Sequence, residues 1–194
     1  MGPAAFGVAA HLGSRRTPGY VRRDQPISSL AAHGSAGASV MVPGFLGLAA
    51  GSLGLARALR SSAGAPGPVP AMVALSGLSV AGAGLARCSD PSCPTRGLGN
   101  GEPQLTDDLH MAFSAATFAL WIATPLVAAR RAATADAAYR RTSAAIGVGT
   151  LALLVGGGLV ARSESQRYSG WAQRAMLVTA LAWHPLAARA AARR

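Results

Sequence analysis

Asp107-Asp108-Leu109-His110-Met111-Ala112-Phe113-Ser114-Ala115-Ala116-Thr117-Phe118-Ala119-Leu120-Trp121-Ile122-Ala123-Thr124-Pro125-Leu126-Val127-Ala128-Ala129-Arg130-Arg131 begins on two carboxylates and ends on two guanidinium groups. Between them, Leu109 to Ala129 holds no Asp, Glu, Lys or Arg. As a helix that run would be about 31 Å long, the thickness of a bilayer's hydrocarbon core. It reads as a membrane-spanning helix with a polar site at one mouth and a basic anchor at the other.

Four further apolar runs surround it, three of them uncharged. They cover residues 35–56, 69–86, 143–161 and 171–188, the last carrying Arg174 in its first turn. With 109–129 they make five full spans, and Met1 to Leu12 adds an apolar segment below the ~20 residues a spanning helix needs. That segment lacks a positive leading region and does not read as a signal peptide. The expected fold is all-α: one multi-pass transmembrane helix bundle over residues 1–194, with no soluble domain between the spans. A soluble all-α fold would need charged helix faces, and 35–56, 109–129 and 143–161 have none.

The charge of +11 would by itself suggest nucleic acid. Against that stand 51% hydrophobic and only 13% charged residues. The mean hydropathy is +0.32. All 18 basic residues are arginines, and they lie between apolar runs. Arg-rich short loops orient helices and meet anionic head groups, so the expected partners are membrane lipids and not nucleic acid. The preference for Arg over Lys, beside so much Ala and Gly, reads as codon bias.

Arg57, Arg60, Arg130, Arg131 and the C-terminal arginines define one side. The opposite loops carry nearly as many, so the pairs at span ends and the two cysteines decide the orientation. The C-terminus is expected in the cytoplasm of a cell-membrane protein, with the loops after residues 86 and 161 outside. Gly47-x-x-x-Gly51 and Ala152-x-x-x-Gly156 are small-residue faces, suited to close helix packing or to a homo-oligomer.

Chemistry concentrates at the outer mouth. Asp107 and His110 are three apart and share a helical face. Asp90 follows the preceding span by a few residues. These three are the catalytic candidates, and one outer pocket is expected to gather them. Asp107 as a helix cap and His110 as an interfacial polar group is the simpler reading. Zinc would need a third ligand from Asp90 or His33; no metal or cofactor is assigned. Ser29 and Arg174 are candidate ligand-binding residues. Cys88 and Cys93 are close enough across Pro91 to form a disulfide. No phosphate loop, nucleotide fingerprint or Ser-His-Asp spacing is present. The first functional reading is a protein that binds or senses a lipid or small molecule at its outer face. The alternatives are a membrane-embedded lipid hydrolase and a small transporter.

Several stretches share an order with a known family: Gly19-Tyr20-Val21-Arg22-Arg23-Asp24-Gln25-Pro26-Ile27-Ser28-Ser29-Leu30-Ala31-Ala32, then Asp90-Pro91, then Thr106-Asp107-Asp108-Leu109-His110, then Gly170-Trp171-Ala172-Gln173-Arg174. Over roughly residues 17–190 the chain resembles the uncharacterised bacterial membrane family called domain of unknown function 998. The resemblance implies a six-helix membrane bundle without an assigned activity. Such proteins would carry a full helix before the Tyr20–Ala32 loop, which leads to the expectation of a truncated or lost first helix here.

Overall fold

The computed structural model describes residues 1–62, 67–90, 104–132, 136–162 and 168–193. Every regular element among them is helical: α1 (Gly2–Arg16), a 3-10 turn η1 (Ile27–Ala31), α2 (Ala38–Ser61), α3 (Val69–Leu85), α4 (Leu105–Arg131), α5 (Ala137–Arg162), α6 (Ser169–Leu181) and α7 (Trp183–Ala192). Ala38–Ser61, Leu105–Arg131 and Ala137–Leu159 are long and apolar enough to cross a membrane. The shorter Val69–Leu85 is apolar too.

Charges extend the organising helix beyond its apolar run. Asp107 and Asp108 lie in the first turn of α4 and Arg130 and Arg131 in its last. Each pair sits at the helix end whose dipole favours it. The run expected over 171–188 is instead divided at Ala182. Pro185 lacks the N–H that the Leu181 carbonyl would use in an unbroken helix.

Small residues set the packing. Consecutive helices pack pairwise, and α7 returns to α2 to close the ring. The first pair is antiparallel. A β-carbon on Gly51 would lie 2.6 Å from the Gly2 α-carbon, while one on Gly37 would meet the Gly13 carbonyl oxygen at 2.9 Å. Gly44 meets Ala9 between them. The Gly47-x-x-x-Gly51 face is therefore occupied within the chain, by α1. Along the ring, Gly77 faces Ala49 and Ser52, Gly82 faces Phe113, and Gly147 faces Leu126. Close backbone approach substitutes for the hydrophobic drive that helices lack among apolar surroundings.

Two apolar clusters fill the interior. One, including Phe6, Leu30, Met41, Phe45, Val80 and Trp121, sits toward η1. The other gathers Leu55, Leu59, Val69, Ala128, Tyr139 and Trp183 at the opposite end. Val148, Leu151, Val155 and Leu159 of α5 face outward.

Candidate functional site

The η1 turn is short, and long-range partners hold both its ends. The Ile27 N–H donates to Oε1 of Gln173 at 2.6 Å. The Arg87 guanidinium donates to the Ala31 and Ala32 carbonyls at 2.7 and 3.0 Å. These bonds satisfy groups that a helix terminus leaves open.

The connector before η1 is fixed by the start of α6. One guanidinium nitrogen of Arg174 donates to the Arg22, Gln25 and Gly170 carbonyls at 2.6, 3.1 and 2.9 Å. The other reaches the Tyr20 hydroxyl. That hydroxyl donates toward the Gln25 and Pro26 carbonyls, both at 3.0 Å. Burial raises the Tyr20 phenol above its ordinary value of 10.0, with the Arg174 guanidinium acting in the opposite sense. The Trp171 N–H donates to the Arg23 carbonyl at 3.0 Å. A β-carbon on Gly170 would lie 2.5 Å from two carbonyl oxygens of this connector, so no larger residue fits. Tyr168, just ahead, has a φ of 72° and donates its N–H to the Asp24 carboxylate. That left-handed backbone costs a non-glycine residue on the order of 1–2 kcal/mol, offset by this bond and by the Arg23 guanidinium over the tyrosine ring.

Beneath η1 lies a cavity of about 110 Å³. Its polar lining comes from Ser28, His110, Ser114, Thr117, Trp121 and Gln173, its apolar lining from Phe6, Phe45, Leu48, Val80 and Leu177 among others. Among the described residues no charged side chain lines it. His110 is 2% exposed. Its Nδ1 lies 2.8 and 3.0 Å from the Ala83 and Ala86 carbonyl oxygens. Carbonyls only accept, so Nδ1 carries the proton and Nε2 of the neutral ring is an acceptor. Thr117 spends its hydroxyl proton on the Phe113 carbonyl.

Asp107 turns away from this cavity. Its carboxylate accepts from the Ser89 N–H at 2.6 Å and the Ser89 hydroxyl at 2.8 Å. It thus fixes the segment leaving α3 and makes no side-chain cap of α4. Asp90 is half-buried in that segment and does not line the cavity. Cys88 is buried and disulfide-bonded; Cys93 lies outside the described residues, as do residues 163–167 between α5 and α6. Ser29 is buried with its hydroxyl unpartnered, while its neighbour Ser28 lines the cavity. Among the described residues no group of three or more His, Cys, Asp or Glu gathers in a metal-holding arrangement.

So the stretch from Tyr20 to Ile27 and the stretch from Gly170 to Arg174 form one interlocked unit over the cavity. The family model for a protein of unknown function, DUF998, matches residues 1–190. The chain belongs to the DUF998 family. The match begins at residue 1, so α1 falls within the DUF998 region and the resemblance extends further forward than residue 17. No curated protein and no solved structure matches the chain.

A second groove, of about 440 Å³, runs between α1 and α6–α7. Its walls are apolar, with Gly7, Ala10, Val178, Leu181 and Pro185 among them, apart from Arg174, whose guanidinium is engaged by the connector before η1. Phe6, Ile27 and Leu177 line both this groove and the cavity under η1.

Below the cavity, Trp121, Thr124 and His184 line a third space of about 10 Å³. Each has a buried polar atom without a hydrogen-bond partner: Nε1 of Trp121, Oγ1 of Thr124 and Nδ1 of His184. The other ring nitrogen of His184 lies 3.2 Å from the Ser52 hydroxyl.

Proposed function

We propose that this DUF998 protein is a multi-pass membrane protein that binds a neutral amphiphile, with the polar head under η1 and the tail in the α1–α6 groove. Phe6, Ile27 and Leu177, shared by cavity and groove, carry this reading. The groove opens where a bilayer would supply a hydrocarbon chain, and the shared wall leads inward to the polar lining. The cavity is somewhat smaller than the ~150 Å³ that holds a benzene ring, so only a compact head with a few carbons enters. The absence of a charged lining argues against phosphate and carboxylate heads, since a buried unpaired charge is costly. An alcohol or amide suits the site. His110 Nε2 accepts its proton, and the Gln173 amide, whose oxygen is engaged by Ile27, donates to its oxygen.

The five-span topology belongs to the same proposal, with α6 and α7 crossing together and η1 outside. Arg57, Arg60, Arg130, Arg131 and the C-terminus then share the cytoplasmic side. Reporters fused after Gly99 and after Arg194 should report opposite sides, outside and inside.

The ligand test is photolabelling in membranes with a diazirine-bearing long-chain alcohol. Label is expected on peptides spanning Phe6, Ile27 and Leu177. A β-carbon on Gly7 meets nothing within 4 Å, so Gly7→Leu fills the groove without disturbing the backbone. It should cut labelling several-fold. Equal labelling of the outward face of α5, or labelling indifferent to Gly7→Leu, would sink the proposal.

A further inference from the structure

The opposite end of the bundle holds a different kind of groove. It has a volume of about 440 Å³ and lies between the end of α4 and the start of α5, lined by Leu126, Ala129, Arg130, Arg140 and Arg141 with Ala137 and Ala144. Three guanidinium groups from two helices thus border one space, and among the described residues no acidic one lines it. None of the three makes a hydrogen bond or ion pair among the described residues. Asp136, the acid nearest in sequence, accepts from the Tyr139 N–H at 3.1 Å.

The arrangement is electrostatically unfavourable by itself. Arg130 at the end of α4 suits that helix's negative pole, but Arg140 and Arg141 lie in the first turns of α5, where the dipole disfavours cations. Like charges on both sides of a groove repel as well. An anion between them would relieve both terms, and guanidinium forks match phosphate oxygens two at a time. The groove's other wall is apolar and continues along α4 through Ala129 to Leu126, toward the middle of a helix long enough to cross a membrane. A free phosphate has no use for that wall; a phospholipid places its acyl chains there.

We infer that this groove is a binding site for an anionic phospholipid, with its phosphate held by Arg130, Arg140 and Arg141. The site rests on the membrane reading above and is independent of the ligand cavity beneath η1. Phospholipid-bearing basic pockets belong on the side where anionic head groups are concentrated, which agrees with the cytoplasmic placement of this end.

The test uses the full chain in nanodiscs of mixed phosphatidylglycerol and phosphatidylcholine, with retained lipid counted by native mass spectrometry. The parent protein should retain phosphatidylglycerol about tenfold over phosphatidylcholine. The triple variant R130Q/R140Q/R141Q should lose that preference, while R57Q/R60Q, which removes two other arginines, should keep it. Should the triple variant misfold, Arg130→Gln and Arg140→Gln singly are each expected to weaken the preference several-fold. Equal retention of the two lipids by the parent, or an unchanged preference in the variants, overturns the site. Inorganic phosphate displacing phosphatidylglycerol at millimolar concentration assigns the groove to a free anion and likewise overturns it. A parent that fails to enter the discs refutes the membrane reading and this site with it.

Discussion

The Arg174 guanidinium donates to the Tyr20 hydroxyl across 154 positions of sequence and also lies over the tyrosine ring, 5.7 Å from its centroid. One side chain therefore ties the connector before η1 to the head of α6 through three acceptors, the Arg22 and Gln25 carbonyls and the Tyr20 hydroxyl. Charge-assisted bonds of this kind contribute roughly 1.5–3 kcal/mol each when a buried partner would otherwise be stranded.

Arg174→Lys keeps the charge and loses the fork. A single ammonium cannot reach these acceptors in the same geometry. The expected cost is about 2 kcal/mol. It should appear as a lower melting temperature in detergent and as faster proteolysis between residues 17 and 26, with α2 to α5 still protected. An unchanged cleavage rate would show that the connector is held by other contacts.

Tyr20 makes the same unit sensitive to alkali. Its folded pKa is raised above the unfolded value of 10.0. A raised acid is more firmly protonated in the folded state, so its contribution is complete below about pH 10 and is lost as pH rises through the folded value. Melting temperatures across pH 8–11 should fall at the alkaline end, and Tyr20→Phe should flatten that fall. A parallel decline in Tyr20→Phe would assign it to other groups.

Asp107→Asn removes a carboxylate that accepts twice from Ser89. The expected loss is about 1–3 kcal/mol, confined to the end of α3. Since Cys88 precedes Ser89, its disulfide should be reduced faster by a mild thiol reagent. Identical reduction kinetics would mean that Asp107 does not hold this segment.

Gly51 and Gly54 are three residues apart on α2 and predict opposite outcomes. A β-carbon at Gly51 meets the Gly2 backbone at 2.6 Å, whereas at Gly54 it meets nothing within 4 Å. Gly51→Ala should push α1 off α2 and cost about 1–3 kcal/mol. Gly54→Ala should be neutral or stabilising, since alanine is the better helix former. Equal melting temperatures in the two variants would mean that α1 does not dock as described.

The space at Trp121, Thr124 and His184 is expected to hold one ordered water. A cavity of about 10 Å³ admits a single molecule. Water accepts from the Trp121 N–H and can donate to Thr124 and to Nδ1 of His184, which is the accepting nitrogen because the Ser52 hydroxyl gives its proton to the Leu48 carbonyl and so accepts from Nε2. A structure near 2 Å resolution should show that peak, and Thr124→Val should weaken it. Direct bonding among the three side chains with no density between them would refute the assignment.

The helices were legible because uncharged runs of membrane length have few other uses. The break at Ala182 was foreshadowed by Pro185. The cavity was legible only in part. His110 stands out as an imidazole at a span's mouth, but its sequence spacing pairs it with Asp107, which turns away to Ser89. The better signal was helical spacing: His110, Ser114, Thr117, Trp121 and Thr124 recur at intervals of four and three, a polar stripe down one face of α4. Four of these line the cavity under η1. Gln173 and Ser28 could not be found that way, because their place depends on a loop folding back over the bundle. Asp107 went to Ser89 for a similar reason: a backbone N–H in an irregular segment leaves no trace in side-chain chemistry.

The lock between Tyr20–Ile27 and Gly170–Arg174 also dictates an order of assembly. The two halves are separated by 146 to 154 residues. At ribosomal rates of ~5–20 residues per second, the first half waits roughly 7–30 s for the second to be made. During that interval α1 and α2 can pair through their glycines, and α3 to α5 can be added one hairpin at a time. Until α6 arrives the roof over the cavity is held at its Ala31–Ala32 end alone, by Arg87. Newly made protein thus passes through a stage in which the bundle is mostly built but its polar interior stands open, and the last helices to emerge from the ribosome are the ones that shut it.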